Sequence, residues 1–321
     1  MSKRAKIWLI IATSLILIGC ILFGGAMAMH GWDLTKLSMN KYETNNHEIN
    51  ENYKNISITT HTADIVFVPS ENSKCFVECY EQENVKHSVA VKDDTLVIEV
   101  VDTRKWYEYI GINFETSRIT VYLPQGEYDA LSVASITGDV ELPKNFKFSS
   151  IDISAETGNI TSYASSSGET KIKTTTGNIH IEGISASVLD LSVCTGKVTA
   201  SDIICDRDVR VRVSTGRAYL TDIACKNVIS SGDTGDISLK NVIATKKFSI
   251  ERITGHVRFD GCDAAEIFVE TATGNVTGTL LSEKVFIVNT DTGKKEVPDT
   301  ITGGRCEITT GTGDIKIDIK Q

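Results

Sequence analysis

The pair Thr-Gly recurs through the second half of this chain with almost no drift in spacing. It stands at Gly138, Gly158, Gly177, Gly196, Gly216, Gly235, Gly255, Gly274, Gly293 and Gly313, each preceded by Thr, and every interval is 19 or 20 residues. A short fixed period of this kind marks a solenoid, in which each repeat buries its apolar face only against its neighbours.

The phase of the apolar residues identifies the kind of solenoid. Two and four places after the Gly stand Val140/Leu142, Ile179/Ile181, Ile237/Leu239 and Val257/Phe259. Seven places after it stand Ile184, Ile203, Ile223, Val242, Cys262 and Leu281, and five before it Val133, Ile153, Ile172, Leu191, Val211, Ile250, Val269, Val288 and Ile308. Alternation at period two, with β-branched residues dominant, means strands, and no helical periodicity fits between the glycines. The expected fold is therefore all-β, a parallel β-solenoid (β-helix) whose rungs stack at a spacing of about 4.8 Å, giving a rod roughly 50 Å long.

Each Thr-Gly is read as a corner. Gly allows the positive φ of a sharp turn, and the threonines are expected to stack and share hydroxyl hydrogen bonds. An ice-binding Thr-x-Thr face is disfavoured, because the residue two before each Thr varies: Ser135, Ala155, Val193, Val213, Gly232, Arg252. The residue after each Gly runs Asp139, Asn159, Asn178, Lys197, Arg217, Asp236, His256, Asn275, Lys294, Asp314. Basic residues in that column exclude a repeated oxygen cage for calcium, leaving solvated turn residues as the expectation. Lys295 and Pro298 break the pattern of one coil and predict a bulge near the end of the rod.

The N-terminus has Lys3, Arg4 and Lys6 before an uncharged run from Ile7 to Met29. Such a run, at about 1.5 Å per residue, can cross a hydrocarbon core of roughly 30 Å. The leading cations place residues 1–6 in the cytoplasm and the bulk of the chain outside. A retained signal-anchor helix is the favoured reading. A lipoprotein box ending at Cys20 and a cleaved signal peptide are the alternatives. Residues 30–45 read as a stalk, 46–128 as a β region or cap, and 129–321 as the Thr-Gly solenoid.

Within 46–128 the strands are less regular. "KDDT" (92–95) reads as a hairpin turn between alternating runs. Trp106, Tyr107, Tyr109 and Phe114 concentrate the aromatics, as packing across the first coil or as an exposed patch. At the other end Ile315, Ile317 and Ile319 alternate with charges. That edge is expected to be the free end of the rod and a candidate docking edge for a partner protein.

Catalytic, cofactor-binding and metal residues are all expected to be absent. The histidines (His30, His47, His61, His87, His180, His256) show no ligand spacing, and neither a nucleophile elbow nor a phosphate loop occurs. Among the cysteines, Cys75 and Cys79 are too far apart on a strand to bridge. Cys205 and Cys225 fall at one place in adjacent coils and are expected to be a stacked thiol pair. Arg207, Arg210, Arg212 and Arg217 form the only local cationic cluster, read as a solvated face. A net charge of -9 argues against nucleic acid as a partner.

The "TGDI", "TGNI" and "TGDV" corners, the "SRITVYLP" strand (117–124) and the single N-terminal apolar segment resemble the bacterial putative-adhesin family of unknown function. The likeness spans roughly residues 50–321. It implies a membrane-attached extracytoplasmic β-solenoid, associated with envelope stress or surface attachment and without catalytic residues. The functional expectation is a non-enzymatic surface protein that binds an envelope protein or cell-surface polymer. The alternatives are a self-associating scaffold resembling bactofilin polymers and, less favoured, a polysaccharide-active β-helix enzyme.

Overall fold

A computed structural model describes residues 2–29, 31–32, 41–71, 74–106 and 115–320. One helix, α1 (Lys3–Met29), is long and apolar enough to cross a membrane. It starts with the three cations and ends at the last apolar residue of the run. The other described residues are mostly strands, in a β-solenoid of about ten turns.

Successive rungs pair in parallel and in register: Ile172 lies between Ile153 and Leu191, and Leu191 is followed by Val211. The rung after Gly158 shows three short sides, Ile160–Ser162, Ser165–Ser166 and Glu169–Thr176. The apolar columns point inward as their alternation requires. Val140, Ile179, Leu239, Val257, Ile153, Leu191 and Val211 are all buried in one continuous core. Leu281 is the exception. It is 43% exposed, and Leu280 takes the inner place opposite Cys262.

The reason for that shift is a second corner that the spacing alone did not reveal. Six places after the Gly stand Gly183, Asp202, Asp222, Asn241 and Gly261, with φ of 66°, 54°, 52°, 51° and 62°. Gly, Asp and Asn are the residues that enter this left-handed region at least cost. The rung after Gly274 has no such residue at that place. Its strand Val276–Leu280 therefore arrives one residue early.

At the Thr-Gly corner, Gly is required twice over. Gly158, Gly177 and Gly196 have φ of 149°, 146° and 148°, and a β-carbon on any of them would lie 1.8–2.0 Å from the carbonyl oxygen of the glycine one rung below. The threonine column does not share hydroxyls as expected, because the turn leaves Thr157, Thr176 and Thr195 exposed. Backbone groups join the rungs here instead: Gly158 N donates to Thr176 O at 2.9 Å. The hydroxyls that matter sit two residues earlier and face inward. Thr174, Thr290 and Thr310 donate to the carbonyls of Gly158, Gly313 and Gly274 at 2.9–3.0 Å.

The last rung in sequence is not the last in space. Strand Gly304–Thr312 pairs with Val257–Thr273 on one side and Lys284–Thr292 on the other. Ile315–Ile319 likewise pairs with Val276–Leu280, and Lys295–Glu296 flanks it. The chain thus skips one rung level, lays down 284–296, and returns to insert 304–319 beneath it. Gly303 and Gly304 make the return possible: a β-carbon on them would meet Glu283 O at 1.9 Å and Ala265 O at 1.8 Å. Buried Lys284 braces the skip through Asp263 (2.6 Å) and Ser282 (2.5 Å).

This arrangement corrects two expectations. Ile315 and Ile317 are buried in the rod and form no free end. The irregular coil with Lys295 and Pro298 is the terminal rung itself. Pro298 lacks the N–H that would continue pairing, and the adjacent charges oppose edge-to-edge growth.

The opposite end is a cap. β1 (Tyr42–Ile49) reaches into the span read as a stalk. β2 (Asn55–Pro69) is the first full rung, in register with Leu131–Thr137 on one side. On its other side β5 (Thr95–Asp102) and β6 (Ser117–Leu123) are still parallel to it. Beyond them β3 (Cys75–Gln82), β4 (Val85–Lys92) and β1 pair antiparallel, which ends the parallel stack. The expected hairpin joins β4 to β5, with Asp93 and Asp94 both at positive φ.

Candidate functional site

At most corners the outward side chain one place after the turn residue does more than meet solvent. Rung spacing brings each one beneath the backbone amide of the next residue in the column. Asp64, Asp139, Asn159 and Asn178 accept in turn from the amides of Asp139, Asn159, Asn178 and Lys197 at 2.7–3.1 Å. Higher up, Asp236, His256, Asn275 and Asp314 accept from His256, Asn275, Asp314 and Lys294, each at 2.9 Å. This ladder runs through the inserted rung and confirms its place.

The ladder breaks once. Lys197 and Arg217 carry no acceptor, so the amides of Arg217 and Asp236 receive none from a side chain below. Here the surface holds a cleft of about 280 Å³ lined by Arg217, Tyr219, Asp236, Ser238, His256 and Arg258. Arg217 and Arg258 are exposed, and among the described residues neither is ion-paired; Lys197 stands directly beneath Arg217. His256 accepts the Asn275 amide on Nδ1, which leaves its proton on Nε2 as a donor toward solvent. In a chain of net charge -9, this is a local reversal of sign. Asp236 is its one acidic lining residue.

Of the four arginines grouped by sequence, only Arg217 lines this cleft. Arg207 bonds Ser187 Oγ at 3.2 Å and Arg210 pairs with Asp208 at 2.8 Å. Arg258 is separated from Arg217 by some forty residues yet lies two rungs away, a meeting that local sequence clustering misses. Column arithmetic, three and one places after the glycines, does find it.

Elsewhere Arg252 is buried at a corner, its Nη2 donating to Ser230 Oγ at 2.8 Å and its Nε without a partner. Burial lowers its pKa to about 10. Gly232 makes the room, since a β-carbon there would lie 1.9 Å from Arg252 Nη1. Cys205 and Cys225 are buried, free thiols in adjacent rungs, as expected. Trp106 is 77% exposed, while Tyr107, Tyr109 and Phe114 lie outside the described residues.

The cap holds a second cluster. Cys79 and Glu81 alternate onto the inner face of β3, and His87 returns beside them on β4 across the Glu83-Asn84 turn. The ligand atoms of the three lie within 4.8 Å of one another, and all three residues are buried. Glu81 Oε2 is 2.7 Å from His87 Nδ1 and also accepts the His87 amide. Asn45 Nδ2 holds the other carboxylate oxygen at 2.9 Å, and Thr60 Oγ1 lies 2.9 Å from His87 Nε2. Burial, with Glu81 and Glu78 adding to it, pushes the Cys79 thiol up to about 12. The histidines therefore are not all isolated. The signal was the alternation Cys-x-Glu on one arm of a tight turn and His on the other.

Two stretches of the chain, residues 53–206 and 197–321, match the family model described as Toastrack DUF4097. No curated protein matches significantly. The fold is similar to that of a putative adhesin from Parabacteroides distasonis ATCC 8503, at 11% identity and TM-score 0.52, covering 87% of this chain and 98% of that one. It is also similar to a putative adhesin from Parabacteroides merdae ATCC 43184, at 12% identity and TM-score 0.51, covering 88% and 98%. At these identities the likeness is one of fold.

Proposed function

Since the chain belongs to the Toastrack DUF4097 family, we propose that it is a non-enzymatic, membrane-anchored surface protein whose rod binds an anionic polymer of the cell envelope. α1 serves as the anchor, with Lys3, Arg4 and Lys6 on the cytoplasmic side and the rod outside. The adhesin names carried by two proteins of similar fold support a role in attachment.

The observation that carries the ligand class is the break in the ladder. At that break Arg217, Arg258 and the His256 Nε2–H share one cleft, and exposed Lys197 stands directly beneath Arg217. Guanidinium groups in such an array suit the phosphates or carboxylates of a repeating chain, which can contact several rungs at once. Tyr219, 36% exposed, offers a face on which a sugar ring can rest.

The full-length protein in detergent micelles is titrated with poly(glycerol phosphate) and with neutral dextran. Binding to the anionic chain that weakens as salt rises, with no binding to dextran, is expected. The double variant Arg217→Glu/Arg258→Glu should lower the affinity at least about tenfold, while Arg207→Glu should not. Equal binding by wild type and the double variant would overturn the assignment of the cleft.

A further inference from the structure

The cap cluster is built like a cation site. A buried carboxylate and a thiol crowded within 4.8 Å of an imidazole present sulfur, oxygen and nitrogen donors converging on one point. Thr60 and Asn45 engage the atoms turned away from the cluster and so orient its ligands, whereas the His87 Nδ1–Glu81 Oε2 contact joins two of the ligand atoms and must open for an ion. Without an ion, the 2.7 Å contact between His87 Nδ1 and Glu81 Oε2 is a hydrogen bond with the ring proton on Nδ1. With an ion bound, that proton moves to Nε2, where Thr60 Oγ1 can accept it, and the Nδ1 lone pair is freed for the metal. Asn45 holds the Glu81 oxygen that is turned away from His87.

The geometry points to a site for one zinc-class divalent cation in the cap, held by Cys79 Sγ, Glu81 Oε2 and His87 Nδ1. Charge balance favours this occupant. Buried charges persist when compensated, and a divalent cation neutralises one thiolate and one carboxylate together. The donor set selects the ion: thiolate and imidazole suit zinc or cobalt, and they suit calcium or magnesium poorly. Binding displaces the thiol proton to solvent, so one proton leaves Cys79 for each ion bound. Tetrahedral bonds of about 2.0–2.3 Å hold ligand atoms roughly 3.3 Å or more apart, so His87 Nδ1 and Glu81 Oε2, 2.7 Å apart here, separate to admit the ion.

The site has a structural consequence. Cys79 and Glu81 lie on β3 and His87 on β4, and these strands extend the two different sides of the first rung. An ion would tie the two sides together beyond the β3–β4 turn, closing the end of the rod. The proposal is independent of the cationic cleft, which lies in another part of the solenoid.

The test uses the full-length protein in detergent, freed of metal by chelation and dialysis, and titrated with Zn²⁺ or Co²⁺. One equivalent should bind, Co²⁺ should produce a thiolate-to-cobalt charge-transfer band with intense visible absorption, and Zn²⁺ should raise the melting temperature. Cys79→Ser should abolish the charge-transfer band and weaken binding at least about tenfold, and His87→Ala should do the same where it folds. Cys75→Ser, on the same strand, should leave both unchanged. Calcium should shift nothing. Absence of a one-equivalent uptake in the wild type, or an undiminished cobalt spectrum in Cys79→Ser, would overturn the site.

Discussion

Gly216 lies so close over Gly196 that a β-carbon on Gly216 would sit 1.7 Å from the carbonyl oxygen of Gly196. The contact repeats down the corner, where the rungs approach backbone to backbone. A methyl there must both adopt a φ of 141° and push one rung off the next. Gly216→Ala is expected to cost about 3 kcal/mol or more. Gly126→Ala, with nothing within 4 Å of the added atom, should cost almost nothing. Denaturant midpoints of the two variants check the contrast.

The outer ladder predicts a local effect rather than a global one. Asn159 Oδ1 accepts from both the amide (3.0 Å) and Nδ2 (2.9 Å) of Asn178. These bonds are exposed, so Asn159→Ala should lose about 1 kcal/mol. The readout is hydrogen exchange at the Asn178 amide, which should quicken about fivefold while amides several rungs away keep their rates. An unchanged Asn178 rate would mean that the ladder is decorative.

Alkaline pH should loosen the rod. Burial pushes up the thiols of Cys75, Cys205 and Cys262, and takes those of Cys79, Cys225 and Cys306 up to about 12. Above an ordinary thiol pKa near 9 the unfolded chain loses protons that the folded one keeps. Stability is therefore intact below about pH 9 and lost as pH rises toward 12. Arg252, lowered by burial, works in the opposite direction but is a single group. Urea midpoints at pH 8 and pH 10.5 should fall in that order. At pH 8 a thiol reagent should modify exposed Cys194 quickly and leave Cys205 and Cys225 untouched without denaturant.

The fold was legible because a solenoid repeats its own rule. Once Thr-Gly set the register, the inward rows followed from alternation, and Ile179, Leu191 and Val211 landed where the period put them. The second corner was also written in the sequence, as Gly, Asp or Asn one place before the Ile203 and Ile223 column. It is less visible than Thr-Gly because the residue varies in identity and only the backbone angle repeats.

The order of the last rungs was not legible in principle. Residues 284–292 and 304–312 carry the same pattern, and either fits above 257–273. The choice depends on the closeness that Gly303 and Gly304 allow and on the Lys284–Asp263 brace. The two candidate sites were hidden for a related reason. Both assemble residues from different strands, and neither Arg217 with Arg258 nor Cys79 with His87 forms a spacing motif along the chain.

The central claim is a stack of parallel rungs in register, closed by insertion of the final one. Glu270 pairs with Thr309, and Thr309 pairs in turn with Asn289. Two cysteine pairs introduced into a background with Cys20 and Cys194 replaced by Ser decide the matter under mild oxidation. Rapid cross-linking of Glu270→Cys with Thr309→Cys, and none of Glu270→Cys with Asn289→Cys, is the result predicted. Cross-linking of the 270/289 pair in place of 270/309 would mean that the rungs stack in chain order, contradicting the account.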